Sequence, residues 1–457
     1  MAFHPTELLD VLPAPEADCL VAYSGGMDSH VLLHAMAELK NAGQFNGTLK
    51  AIHVNHGLNP GADNWAKHCA KVCKDLGIPL IIVNVCVERD GRGLEQAARE
   101  ARHKAFADAM AQMDEGCQLL LAHHQDDQVE TQIFRMMRGT GIRGLAGIHT
   151  SRSFANGSMV RPLLGHTRGV LFEYATAQGL DWIEDDSNRD ETLDRNFLRQ
   201  RVLPELESRW PGYRKSLQRL AGLAEESQAL LREVGEQDLL RVRDFPHRLS
   251  IAKLLEFSPA RQRNIVRTWL LIMEANEAIL APDRYVVERI FAEIIPAAQD
   301  AEPVVTWSKS GQVMEIRRFA DYVYAVLPLE IPQSRNRLLW ETRTPFEMPG
   351  LGSLFAVESA DEGLVLPASR EVEIRFRQGG ESVKPAGRKT RPLKKILQDY
   401  KVPPWWRDKI PLIYIDDALA AVGDLFIADE FQIKAGEAKE QKIHQIRWNR
   451  SYLHCGY

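Results

Sequence analysis

Four short apolar runs, each followed by a helical pattern, constrain the first half of this 457-residue chain more than any other feature. The runs are "CLVAY", "LKAIHVNH", "PLIIVNV" and "QLLLAHH". Behind the first three come "SHVLLHAMAELKNAG", "DNWAKHCAKVCKDLG" and "LEQAAREARHKAFADAMAQM". Strands that are apolar at nearly every position are buried on both faces, as in a parallel sheet sandwiched by helices. The alternation therefore predicts an α/β domain with a doubly wound, mainly parallel sheet over residues 1–212. From about 214 the pattern turns helical, in "RKSLQRLAGLAEESQALLREV" and "SPARQRNIVRTWLLIMEANE", which marks a mainly helical middle domain over 213–335. Residues 301–365 also hold short strand-like pieces such as "PVVTWSK" and "DYVYAVLPL". Residues 336–366 read as a connector, 367–434 as a small α+β domain, and 435–457 as a polar tail without expected structure.

Composition narrows the setting. An apolar share of 45% and a charged share of 26% belong to a folded, soluble chain. A net charge of −5 gives no global field for a polyanion, although a local patch can hide beneath that average. No run is long enough to span a bilayer, and the opening residues lack the pattern of a secretory leader. The six cysteines (Cys19, Cys69, Cys73, Cys86, Cys117, Cys455) form no disulfide spacing and no Cys-x-x-Cys. The expectation is a reduced, cytoplasmic protein that is not a membrane protein.

Between the first run and its helix stand Ser24, Gly25, Gly26, Met27, Asp28 and Ser29. At the carboxyl end of a parallel strand, ligands meet the N-terminus of the next helix, whose unpaired N–H groups attract phosphate. Two glycines let the backbone approach an anion, and two hydroxyls add donors. Phosphate repels Asp28 unless a cation such as Mg2+ stands between them. The stretch reads as a pyrophosphate cradle with a metal anchor; a plain strand-turn-helix needs no carboxylate there. The Gly-x-x-x-x-Gly-Lys pattern of a Walker A loop is absent.

A second constellation follows the fourth run, in "AHHQDDQVET". Asp126, Asp127 and Glu130 open a helix, with Asp126 and Glu130 on one face. Carboxylates in a first turn also suit the helix dipole, so capping is the simpler reading of each one alone. His123 and His124 are candidates to bond phosphate or accept a proton. The spacing is not that of a zinc site. His53 and Asn55 end the second run, beside the first in such a sheet, where an adenosine would rest.

These motifs, with "DDSNRD", "RNFLR" and "VPPWWRDKIPLIY" in order, make the chain resemble the PP-loop ATP pyrophosphatases, and within them the tRNA(Ile)-lysidine synthetase family, over nearly its whole length. The resemblance implies an ATP- and Mg2+-dependent ligase. Lysine would join C2 of the wobble cytidine of a minor isoleucine tRNA with anticodon CAU, releasing AMP and pyrophosphate. It also implies that Ser24 to Ser29, His53 and Asn55 bind ATP and that Asp28 holds Mg2+. Asp28, Asp126, Asp127, Glu130 and Arg199 would be catalytic, with Asp126 and Glu130 meeting L-lysine. Arg195, Asn196 and Arg199, near Asn188, would serve phosphate or RNA, and the middle domain tRNA. The family helix carrying Glu95, Arg99 and Arg102 departs here in having His103 where tyrosine is common.

Residues 374–410 carry eleven basic side chains against three acidic, a net of +8. With Trp405 and Trp406 they make an expected RNA footprint, while "VPPWW" also reads as a packing motif that places one tryptophan in the core. Lys389, Arg391, Lys394 and Lys395 are its candidate phosphate contacts. The alternatives are a PP-loop tRNA thiolase, which usually needs paired cysteines, and a non-catalytic tRNA-binding protein. A homodimer is left open.

Overall fold

The first apolar run becomes β1 (Cys19–Ala22), and α1 (Met27–Asn41) follows directly. Continuing along the chain are β2 (Leu49–Asn55), α2 (Ala62–Asp75), β3 (Leu80–Asn84), α3 (Leu94–Met110), β4 (Gln118–Leu120) and α4 (Gln125–Met137). Then come the short α5 (Ile142–Leu145), the hairpin β5 (Ser151–Phe154) and β6 (Gly157–Val160), and α6 (Arg168–Ala177). The structure, a computed structural model, describes residues 2–57, 61–86, 94–184, 190–275, 282–298, 301–309, 311–328, 338–366, 372–434 and 442–450. Asn188, Cys455 and the side chain of Glu95 lie outside that description.

The sheet runs β3-β2-β1-β4-β6-β5, parallel except at the β5–β6 edge. Period-two alternation sends Cys19 and Val21 into one core, with Leu32, Met36 and Leu171, and Leu20 into the other, with Phe106, Met110 and Leu119. Helices therefore cover both faces, as the continuous apolar runs require. The strand order reverses between β1 and β4, which opens a crevice at their carboxyl ends.

The chain divides into two compact units, Met1–Leu230 and Leu231–Tyr457, with the boundary inside the long helix Tyr213–Val242. The second unit holds helices Ile251–Leu255 and Pro259–Ala275 and strands β7 (Arg243–Phe245), β8 (Arg248–Ser250), β9 (Val304–Lys309), β10 (Gln312–Phe319) and β11 (Tyr322–Val326). Those strands make a sheet of order β7-β8-β11-β10-β9; β9 and β11 fall on the expected strand-like pieces, while β7 and β8 lie in the stretch read as helical. Beyond it lie two further five-stranded sheets. Residues read as a connector supply strands Phe346–Met348, Gly352–Glu358 and Glu362–Val365. The stretch read as a polar tail supplies Ile443–Arg450, paired along Gly352–Glu358. Its alternating Ile443, Ile446 and Trp448 are buried and Arg447 is not, a strand period masked by the polar neighbours. Trp406 is fully buried, which fills the core position that "VPPWW" offers one tryptophan, and Trp405 is half-buried, so the pair forms no exposed aromatic face. They pack edge-on against Tyr324 in the core of the second unit. Among the described residues no helix is long and apolar enough to cross a membrane.

Candidate active site

Between β1 and α1 the chain is locked by its own hydroxyls. Ser29 Oγ donates to the Gly26 carbonyl at 2.9 Å, Ser24 Oγ lies 3.0 Å from it, and Ser24 N–H donates to it at 3.2 Å. Gly25 has φ +87°, and a Cβ there would meet Ile183 Cδ1 at 3.0 Å and Cys69 Sγ at 3.1 Å. A larger residue is excluded by backbone conformation and by packing together. Gly26 is the N-cap of α1 and brings no side chain to its first turn, so those N–H groups remain available to an anion. Met27, by contrast, is buried in the core and can offer only its backbone.

His53 and Asn55 hold the neighbouring strand end in place. His53 is buried, with Nδ1 2.9 Å from the Tyr23 carbonyl and 3.4 Å from Cys69 Sγ. Asn55 donates to Asp63 at 3.2 Å and accepts from Gly57 N–H at 2.9 Å, so both ends of its amide are engaged within a turn.

Asp28 projects from the first turn of α1. Its Oδ1 is buried without a hydrogen-bond partner, an orphaned acceptor that suits a cation. Its Oδ2 is 3.7 Å from His124 Nε2 and 4.0 Å from Arg168 Nε. Across the crevice His124 caps α4. Its Nδ1 accepts from Asp127 N–H at 3.4 Å, while Asp127 Oδ2 accepts from His124 N–H at 3.0 Å. Desolvation depresses the His124 imidazole, but Asp28, then Asp127 and Asp126, outweigh it and raise its pKa above the ordinary value. Its neighbour His123 is more deeply desolvated; burial outweighs Asp127 and pushes it down to about 4.

The two carboxylates expected to meet lysine are already held by arginines. Glu130, almost fully buried, takes a bidentate fork from Arg199 at 2.7 and 2.9 Å. Arg199 sits on a π-type turn over Leu198–Val202, and its Nη2 also lies 3.6 Å from Asp127 Oδ1. Asp126 accepts from Arg214 Nε and from Arg168 N–H, both at 2.8 Å. Burial raises the Asp126 carboxyl, and these two donors overcome it to hold its pKa below the usual range. Asp28 and Asp127 are thus the carboxylates that face the crevice without an arginine fork. Asn196 is buried and donates to the Asp190 carbonyl at 2.9 Å, which braces the loop, whereas Arg195 is exposed. Arg214 and Arg168 escaped the reading of the sequence. Arg214 lies 88 residues from Asp126 in a helix assigned to another domain, and no local spacing announces it.

Three domain families match in succession: a PP-loop domain over residues 5–206, the TilS substrate binding domain over 249–324 and the TilS substrate C-terminal domain over 372–448. The tRNA(Ile)-lysidine synthase of Coxiella burnetii is 37% identical over 442 residues, covering 95% of each chain. That of Pectobacterium atrosepticum is 38% identical over 456 residues, covering 97% of this chain and 98% of its own. The chain belongs to the tRNA(Ile)-lysidine synthase family. A solved U34-tRNA thiolase from Methanococcus maripaludis, 18% identical with a TM-score of 0.42 over 48% of this chain and 77% of its own, is too remote to bear on activity.

Among the described residues no three or more His, Cys, Asp or Glu side chains gather into a metal cage. Mg2+ needs no such cage, because it keeps waters and shares one or two carboxylates with substrate phosphates. The orphaned Asp28 Oδ1, beside a helix N-terminus open to phosphate, fits that pattern.

Proposed function

We propose that the chain is a cytoplasmic ligase that joins L-lysine to C2 of the wobble cytidine of a tRNA(Ile) with anticodon CAU. ATP supplies the adenylyl group that makes the C2 oxygen a leaving group; pyrophosphate leaves first, and AMP leaves when the lysine ε-amine attacks C2. The observation that carries the reading is an uncapped Gly-rich helix N-terminus set against an orphaned carboxylate, in a chain similar to lysidine synthases along nearly its full length.

In this reading Ser24, Gly25, Gly26 and Ser29 cradle the phosphates, with His53 and Asn55 shaping the wall behind them. Asp28 holds Mg2+, which would offset charge on the departing pyrophosphate. Arg199 stays charged against Glu130 and lies where charge builds up. Asp127, open to the crevice, is the first carboxylate to receive the lysine amine, and Asp126 and Glu130 reach it only by sharing their arginines. Arg195 and, in the second unit, Lys389, Lys394 and Lys395 meet RNA phosphates. Incubation with ATP, labelled lysine and total tRNA, followed by nucleoside analysis, tests the reading. Recovery of unlabelled tRNA with no lysidine overturns it.

Thiolation is the runner-up, and the cysteines speak against it. Cys69 and Cys73 are buried and their thiols are pushed up to about 12 by desolvation, so neither is a ready thiolate.

A further inference from the structure

The β5–β6 hairpin gathers positive charge that the crevice between β1 and β4 does not use. Arg152 on β5 stands opposite Met159 on β6. Its Nη2 lies 3.6 Å from the Met159 sulfur, and Arg161 Nη2 lies 3.0 Å from the same atom. Two guanidinium groups thus converge on one weak acceptor. Arg161 is more than nine-tenths buried; its Nη1 donates to the His149 carbonyl at 2.7 Å, and its Nε is buried with no acceptor in reach. Arg152 lies over the Phe154 ring at 5.7 Å, and His103 meets the same ring edge-on at 5.8 Å. Among the described residues no carboxylate pairs with Arg99, Arg152 or Arg161.

Like charges held together with no counter-charge among the described residues repel one another. Arg161 is pushed down to about 10 by desolvation and then by Arg152 and Arg99, and His103 is pushed down to about 4 by desolvation and then by Arg99 and Arg152. An assembly of this kind, with a buried donor left over, suits an anion.

We propose that Arg152 and Arg161, with Arg99, Phe154 and His103, form a second anion site that takes a backbone phosphate of the RNA substrate. The placement argues for RNA over ATP. The PP-loop follows β1, while β6 and β5 lie two and three strands away in the sheet, roughly 10–15 Å at ordinary strand spacing. A separate phosphate site on the same rim, with an aromatic ring beside it, suits a strand that passes the crevice and presents one base to it. Neutral His103 adds a hydrogen-bonding ring without adding repulsion.

This inference rests on the reading of the chain as an RNA-modifying ligase, and its test keeps the two apart. Arg152 is exposed, so Arg152→Ala and Arg152→Glu should fold with an unchanged melting temperature. tRNA affinity is measured at several salt concentrations without ATP, and the ATP KM is read from pyrophosphate release. The expected result is a tenfold or greater rise in Kd for Arg152→Glu, with a smaller rise for Arg152→Lys. For Arg152→Ala the slope of log K against log[salt] should flatten by about 0.9. The ATP KM should not move. An unchanged Kd and slope for Arg152→Glu in a parent that does make lysidine overturns the site alone. A rise in ATP KM as large as the rise in Kd reassigns the arginines to ATP and overturns it equally. A parent that makes no lysidine fails the functional reading instead.

Discussion

Two charged regions of the molecule look alike as counts and differ in construction. Around the N-terminus of α4, every charge of one sign is set against the other: Glu130 against Arg199, Asp126 against Arg214, and His124 between Asp28 and Asp127. In the second unit, the basic stretch from 374 to 410 mixes two populations. Arg375 pairs with Glu373 and Asp417, Arg377 with Asp408, Lys384 with Asp429, and Arg391 with Asp399 at 2.5 Å. Lys389, Lys394, Lys395 and Lys401 are exposed and, among the described residues, paired with no carboxylate. The difference teaches that a net of +8 measures partners as much as free charge. Only unpaired cations release counterions from a nucleic acid at full value, while paired ones must first leave an acid.

The comparison breaks most sharply at Asp28. Asp28→Ala should abolish ATP-dependent pyrophosphate release while shifting stability by less than about 1 kcal/mol, because the side chain has no protein partner at Oδ1 to lose. Normal release from this variant would remove the metal anchor. Next in size is Glu130→Gln, which leaves the Arg199 fork half-made. The lysine KM should rise about ten- to a hundredfold, as removal of a charge-assisted hydrogen bond implies, with the ATP KM much less affected. Equal increases would make Glu130 a residue that positions Arg199 rather than one that meets lysine.

For the C-terminal stretch, replacing Lys389, Lys394 and Lys395 together by Ala should weaken tRNA binding uniformly across RNA sequences. The salt slope should fall by about 0.9 for each phosphate that no longer meets a lysine. Arg391→Ala, which removes a cation already paired with Asp399, should change the slope by much less. If Arg391 counted as heavily as each lysine, the distinction between paired and free charge would collapse. The smallest expected effect is at His103. A histidine whose folded pKa lies near 4 binds its proton more readily when unfolded, so folding stability is lost as pH falls from about 6.5 toward 4. His103→Tyr should flatten the decline of melting temperature across that window, and an identical pH profile would refute the assignment.

The sheet was legible because a parallel core writes itself as continuous apolar runs, and the break between β1 and α1 because two glycines interrupt the apolar pattern there. What escaped was non-local. Nothing near Asp126 names Arg214, and nothing near Glu130 fixes a bidentate fork with an arginine 69 positions away. A core place for one tryptophan was legible in "VPPWW", but basic neighbours made the other look solvent-facing, while a short helix over Pro404–Arg407 sets the two rings against each other. The strand at Ile443–Arg450 was lost among polar residues, although every buried position in it is apolar.

That strand has a consequence for the order of synthesis. It lies between Gly352–Glu358 and Glu362–Val365 in its sheet, although both precede it by roughly 80 residues or more. At about 5–20 residues per second, a growing chain would hold those two strands for roughly 4–16 seconds before their central partner emerged. Through that interval Gly352–Glu358 keeps one open edge, a template for pairing with a neighbouring chain. During that interval its own Glu358 is a charge of the kind that discourages such meetings, before His444 comes to stand opposite it.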